Sequence, residues 1–518
     1  MNTREGWLEK VSDPYWIATT PNTEYPTLEE DIKVDVAIVG GGIVGITTAL
    51  FLKKAGLKVA IIEAGKIAKG TIGHTTAKIT SQHDLIYDYI KIQYGIEKAK
   101  QYADSNEWAI HKIADLIKEN RIECDFSWKP AYIYTNSDKY VKKIEEEAKT
   151  AASIGIKATY LNEIPLPISA KAALRFDEQA EFHPRKYMLA LAKTIPGEGS
   201  HIFENTRAMD VEQEKNCIIT TENEKRITAS KLVIASHYPF FDGMGMYFSR
   251  MYAERSYVLG LTIKESFPEG MFITAEESGY SLRSQLLEEG EMIIASAESH
   301  KTGQGENMIK HYMNLKDKIS KIYTIDNIMY RWSTQDYTTM DQIPYIGHLT
   351  SKTPNIYIAT GFRKWGMTNS TLAAEIIKDL IVKRENPWMP VYDPSRHITT
   401  VSVGNFVSQN ADVAKHLIKG KIEVLPDDIE IENGEGKKVN IEGQKIGAYR
   451  DQKGQLHLID RTCTHMGCEL EWNNAENTWD CPCHGSRFTY EGEIVEGPAI
   501  NQLNHNHEEK NTIDPNVI

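Results

Sequence analysis

The stretch VDVAIVGGGIVGITTALFLKKAGLKVAIIEAG, residues 34–65, decides the fold. An apolar run (VDVAIVG) ends in glycines, a helical segment (ITTALFLKKAG) follows, and a second apolar run (KVAIIEAG) completes one βαβ unit. Gly40, Gly42 and Gly45 stand in the G-x-G-x-x-G pattern where strand passes into helix, with Ile43 at the helix start. Such glycines permit a tight turn, close approach of backbone N–H groups to a pyrophosphate and close helix packing, while the helix N-terminus favours the anion. Glu63 ends the second run eighteen residues beyond Gly45, where a carboxylate accepts from ribose hydroxyls. Strand, helix and acid together favour a bound dinucleotide over an unrelated tight turn.

Working outward, residues 84–154 read as charge-laced amphipathic helices, and strand-like segments dominate afterwards (NCIITTEN, KLVIASHY, YVLGLTIK, GYSLRSQL, EMIIASAE). A last apolar strand, NIYIATG, runs into the helix TNSTLAAEIIKDLIV, so the first and last segments are placed to share one sheet. Beyond the proline-spaced stretch ENPWMPVYDPSRHITT a lone helix precedes short strands and turns. The chain has 518 residues, enough for several domains, and its 59 Lys and Arg against 72 Asp and Glu leave a net charge of −13. That balance offers no electrostatic footprint for nucleic acid. Val36–Leu52, the longest apolar stretch, is short and glycine-broken, which argues against a transmembrane segment. The opening residues lack the pattern of a signal peptide, and six cysteines are too few for a disulfide scaffold. A cytoplasmic location is expected.

Residues from about 31 to 385 resemble the D-amino-acid-oxidase-like (DAO) flavoproteins, the family of glycine, sarcosine and glutamylputrescine oxidases. EAGKIAKGTIGHTTAKIT (63–80) is similar to the family loop that runs under the flavin, placing His74 and Thr75 there; His74 reads as a hydrogen-bonded structural histidine. DQIPYIG (341–347) followed by IYIATGFRKWGMTNS (356–370) is similar to the second flavin motif. The resemblance implies FAD, with Gly361, Trp365, Gly366, Met367 and Thr368 near its pyrimidine end. RWSTQDYTTMD (331–341) lacks the cysteine that tethers flavin in sarcosine oxidases, so non-covalent FAD is expected; His237 replaces a common family glycine. The family's substrate-carboxylate arginine lies on the sheet over the flavin, which makes Arg283 with Tyr280, and Arg255 with Tyr257, the candidate substrate residues. A surface arginine on a half-exposed strand is the competing reading.

CTHMGC (463–468) and CPCHGS (481–486) are paired loops, each with one C-x-H or C-x-x-H couple. Two thiolates and two imidazoles describe a Rieske 2Fe-2S centre, and also zinc's ligand set, although the one-residue C-x-H step and the loop glycines and proline favour the former. Residues from about 421 to 510 resemble the Rieske family. By that resemblance Cys463, His465, Cys481 and His484 are ligands, Cys468 and Cys483 form the disulfide of the cytochrome bc type, and Ser486 bonds a bridging sulfide. Phe488 stands where the highest-potential members have tyrosine, implying a lower potential. Cys124 and Cys217 read as buried free thiols.

The expected fold is an α/β FAD-binding (Rossmann-like) domain with an antiparallel β substrate subdomain, plus a small all-β Rieske domain. The divisions are an extension over 1–30, the DAO-like domain over 31–400, a helical linker over 401–420 and the Rieske domain over 421–518. Within the second, FAD-binding parts cover about 31–80, 155–240 and 335–385, and substrate parts about 84–154 and 241–334. Two functions compete. One is a flavin dehydrogenase for a small-molecule amine or amino acid, which takes up a hydride and releases electrons singly through the cluster to an unknown acceptor. The other is a reductase or carrier fed by an external donor.

Overall fold

The structure, a computed structural model, describes residues 6–9, 13–277, 279–397, 399–426, 430–441 and 443–504. Parts of the expected extension and the expected end of the Rieske domain, 505–518, lie outside them. Ile32–Val39, the helix Ile43–Lys54 and Val59–Ile62 form the βαβ unit, and the two strands pair in parallel with Val36 opposite Val59. Ile356–Thr360 joins the same eight-stranded sheet through Arg226–Ile234, so the first and last segments do share it. From Val36 onward the strand residues of this unit are buried on both faces, as parallel sheets require. The helices Ile43–Lys54 and Gly366–Val382 pack against each other on one of those faces.

A nine-stranded sheet forms the second layer, with Ile325–Thr339 at one edge and Lys78–Ile79 at the other. Its pairings are antiparallel except Met271–Thr274 with Ser127–Thr135, so the expected antiparallel subdomain is mixed. Sheet membership redistributes four stretches. Ala158–Leu161 and Ala172–Glu181, expected with the FAD-binding part, belong to this second sheet, as do Lys78–Ile79 and the 335–339 end of the edge strand. Ser127–Thr135 interrupts the expected helical run because Pro130 sits at a bulge between Lys129 and Ala131, where a missing N–H costs no ladder bond. The N-terminal extension is part of the core: Tyr15 and Trp16 are buried, and Trp16 packs edge-on against His183.

The linker helix runs Thr400–Ile422, capped by Thr399 Oγ1 accepting from the Ser402 N–H at 3.3 Å. Beyond it lie a three-stranded and a four-stranded sheet, both antiparallel. Among the described residues no helix is long and apolar enough to cross a membrane. The glycine turn is tightly closed by backbone. Gly40 has φ +114, and a Cβ on Gly45 would stand 1.9 Å from the Gly40 carbonyl oxygen. Gly45→Ala is expected to cost about 1–3 kcal/mol in a thermal melt and to lower the flavin retained on purification, because backbone has to shift to admit a methyl group.

Candidate functional site

A cavity of about 810 Å³ opens between the two large sheets, a volume within the range of cofactor sites. Gly40, Gly42, Ile43, Glu63, His74, Thr75, Trp365, Gly366 and Met367 line it. Gly42 and Gly366 have nothing within 4 Å of a built Cβ, so each leaves bare backbone toward open space. Glu63 accepts from the Gly41 N–H at 2.8 Å and the Gly65 N–H at 3.0 Å. Burial raises its carboxyl, against the pull of those two bonds. Trp365 precedes the first residue of the helix Gly366–Val382, and its buried Nε1 lacks a partner. Open glycine backbone and an orphaned indole donor on one cavity fit the expected FAD.

Three expected FAD residues stand behind the wall. Gly45 packs on Gly40, Gly361 packs on Thr339, and Thr368 Oγ1 turns back to the Thr80 carbonyl and His83, both at 3.2 Å. The loop below the cavity is pinned by two indoles: Trp332 Nε1 donates to the His74 carbonyl and Trp16 Nε1 to that of Thr75, each at 2.7 Å. His74 Nδ1 lies 2.8 Å from the Gly70 carbonyl, in keeping with a structural role.

The candidate substrate residues are placed otherwise than expected. Arg283 is fully buried, bonds the Ala77 carbonyl at 2.9 Å, lies 3.6 Å from Glu181 and stacks on Trp16, so the extension roofs it over. The Tyr280 hydroxyl accepts from Tyr134 at 3.0 Å, away from the cavity. Arg255 reaches the cavity, but its guanidinium pairs with Glu476 at 2.7 Å and Glu496 at 3.1 Å, both from the C-terminal domain. Arg487 binds the same two acids and, at 3.0 Å, Asp480, while Ser333 donates to Glu476. Burial by itself would raise Glu476, but Arg255, Arg487 and Ser333 hold it at about 2, fully ionised.

This cluster sits on one face of the edge strand Ile325–Thr339. Alternate residues point the same way along a strand, and four in succession bond the C-terminal domain. Arg331 donates to the Ala475 carbonyl at 3.2 Å, Ser333 to Glu476, Gln335 to the Gly485 carbonyl at 2.8 Å and Tyr337 to the Gly497 carbonyl at 2.9 Å. The residues between them, Trp332, Thr334 and Asp336, line the cavity from the opposite face, and burial pushes Asp336 up to about 7. The cavity wraps this free edge, so Glu476, Arg487 and Glu496 also line it.

The two cysteine loops are built alike: Gly467 N–H bonds the Cys463 carbonyl at 2.9 Å, and Gly485 N–H bonds the Cys481 carbonyl at 3.1 Å. They bring Cys463, His465, Cys481 and His484 into one patch, with the imidazole centres 5.0 Å apart. Both Nδ1 atoms are buried without a partner. Burial lowers each imidazole to about 4, leaving it neutral and ready to ligate. A hydrogen bond from Cys481 lowers the Cys463 thiol to about 7. Cys468 and Cys483 are joined as a disulfide, so of the three adjacent sulfurs of Cys468, Cys481 and Cys483 only that of Cys481 is a free thiol. Ser486 Oγ accepts from the Ala499 N–H at 3.0 Å, and Phe488 is buried. Paired thiols and two orphaned imidazole nitrogens fit the 2Fe-2S ligand set. Cys124 and Cys217 are buried and free.

His237, at φ 64, lies 3.2 Å from the Gln335 carbonyl through Nε2. Its neighbour Tyr238 lines the cavity, and its ring lies 6.1 Å from that of His465. Neither position was singled out as a site residue from the sequence, apart from the departure from glycine at 237. Lys78, Asp336, Glu476, Arg487 and Glu496 were also missed, because each joins the site through partners far along the chain.

Residues 35–380 match the family of FAD dependent oxidoreductases (DAO), and residues 422–507 match the Rieske 2Fe-2S domain. The protein YhfW of Bacillus subtilis (strain 168), named for a Rieske 2Fe-2S iron-sulfur centre, is 44% identical over 96% of this chain and 98% of its own length. Gamma-glutamylputrescine oxidoreductase of Escherichia coli (strain K12) is 23% identical over 72% of this chain and 89% of its own. Glycine oxidase from Geobacillus kaustophilus superposes with a TM-score of 0.59 at 18% identity, covering 71% of this chain and 99% of the oxidase.

Two outcomes are expected from substitution. His465→Ala or Cys481→Ala removes the iron-sulfur electron paramagnetic resonance signal while flavin content persists; normal iron in both variants overturns the ligand set. Arg255→Met takes a buried guanidinium from two half-buried carboxylates, leaving them to Arg487, and lowers stability in a thermal melt by about 1–3 kcal/mol.

Proposed function

The chain belongs to the family of FAD dependent oxidoreductases and carries a Rieske 2Fe-2S domain, and on that premise we propose a dehydrogenase that oxidises an amine or amino acid and passes the electrons through its own C-terminal domain. FAD supplies a two-electron hydride acceptor and the 2Fe-2S cluster a one-electron relay. In this reading Cys463, His465, Cys481 and His484 hold the irons, and the glycine turn with Glu63 and the Trp365–Met367 segment hold the flavin.

The observation that carries the reading is the edge strand Ile325–Thr339. One face bonds the domain with the cysteine loops and the other lines the cavity, so both sites adjoin this one strand. Tyr238 adds a second contact, lining the cavity while its ring meets that of His465. The N-terminus of Gly366–Val382 points its unpaired N–H groups at the cavity, where they favour negative charge. The buried cluster around Arg255 fixes the domain in this position and shields the passage from water.

The test is the anaerobic visible spectrum of purified protein during addition of secondary amines and amino acids, then NADH and NADPH. Bleaching of flavin and then of the cluster by an amine or amino acid is the expected result. Reduction by nicotinamide alone overturns the reading in favour of a reductase fed by an external donor.

A further inference from the structure

We propose that Lys78 anchors the carboxylate of the substrate, which makes the substrate an amino acid rather than a simple amine. The inference rests on the dehydrogenase reading and narrows it.

Lys78 belongs to the short strand Lys78–Ile79 and lines the cavity. Its ammonium donates to Thr76 Oγ1 and Ser281 Oγ, both at 3.0 Å. Among the described residues no carboxylate is within ion-pair distance of it. Glu181 is turned to Arg283, and Asp84 to Arg363 at 2.7 Å. Two hydroxyls solvate an ammonium but do not neutralise it, and a charge drawn out of water is ordinarily paired. Withdrawal from water lowers Lys78 to about 7, with Arg283 acting in the same direction. An anion arriving from the cavity would relieve both.

The surroundings suit a carboxylate. Ser281 pairs with Ser296, and Ser296 with Val258, across neighbouring strands, which puts Ser256, Ser281 and Ser296 on one face of the sheet. All three line the cavity, on the same face as Trp332, Thr334 and Asp336. Two arginines of this sheet are already engaged, Arg255 by Glu476 and Glu496 on the other face and Arg283 by Glu181 under the N-terminal segment. Of the other cations on the wall, Lys66 pairs with Glu204 at 2.9 Å, while Lys364 bonds Ser299 Oγ and Arg331 bonds the Ala475 carbonyl at 3.2 Å. What sets Lys78 apart is its place: it bonds Ser281, on the face that carries Ser256 and Ser296, it has no carboxylate partner among the described residues, and it lies near the end of the 63–80 loop.

The probes are pivalate and tert-butylamine, alike in shape and without a hydrogen on the carbon bearing the charged group, so neither is oxidised. Their affinities for the flavin-loaded full-length protein are read from the perturbation of flavin absorbance. Pivalate is expected to bind at least tenfold more tightly than tert-butylamine. Lys78→Met is expected to weaken pivalate at least tenfold with little change for the amine, and Lys78→Arg to restore most of the loss. Equal or tighter binding of the amine, or no response to either probe, overturns the proposal. A changed FAD affinity in Lys78→Met with unaltered pivalate binding assigns the lysine to the flavin and overturns it too. The comparison of probes on the unsubstituted protein stands even where the variants fold poorly. Failure of the dehydrogenase reading shows separately, as a flavin that no amine or amino acid reduces.

Discussion

The buried charge cluster at the junction of the domains is the constraint on which the rest depends. Arg255 and Arg487 share Glu476 and Glu496, and Asp480 completes the set. Removing charges from water is costly, and the cost is met only when every partner is in place. Such an arrangement has little tolerance for partial docking. The C-terminal domain either sits with all these pairs made or leaves several ions without partners in a low-dielectric seam. Close backbone approach reinforces this. A Cβ on Gly303 would lie 2.6 Å from the Pro482 nitrogen, and one on Gly485 would lie 2.4 Å from the Ala253 Cβ.

That constraint explains why one wall of the cavity is borrowed. The edge of a sheet carries unpaired backbone groups and has to be covered or blunted. Here the strand Ile325–Thr339 has its free edge within the cavity and its alternate side chains spent on the neighbouring domain. The same residues that protect the edge set the position of the cysteine loops. Packing and function are thus not separable along this strand.

Local features were legible in the sequence. The βαβ unit, its glycines and Glu63 follow from periodicity and spacing over some thirty residues, and the cysteine loops announce their chemistry within six residues each. The disulfide Cys468–Cys483, implied by resemblance, is present. What stayed hidden was long-range. Arg255 reads as a free arginine on a strand until Glu476 and Glu496, more than two hundred positions away, are seen against it. Arg283 looked available because nothing local shows that Trp16 covers it. Ser127–Thr135 was masked by Pro130, whose bulge reconciles a proline with a ladder. Lys78 was unremarkable as one lysine among many; its place in the cavity wall, with no carboxylate at ion-pair distance among the described residues, shows only in three dimensions.

The indole pins under the cavity bear on how the chain assembles. Trp16 reaches Thr75 and packs on His183, while Trp332 reaches His74. A loop held by one tryptophan from the early chain and one from the late chain cannot reach its final shape as it is synthesised. The segment carrying Tyr15 and Trp16 waits for most of the FAD-binding fold, and the loop waits for the edge strand. Because the cysteine-loop domain follows both, the cavity remains open on that side during synthesis, an interval in which a bulky nucleotide can enter before the last wall is added.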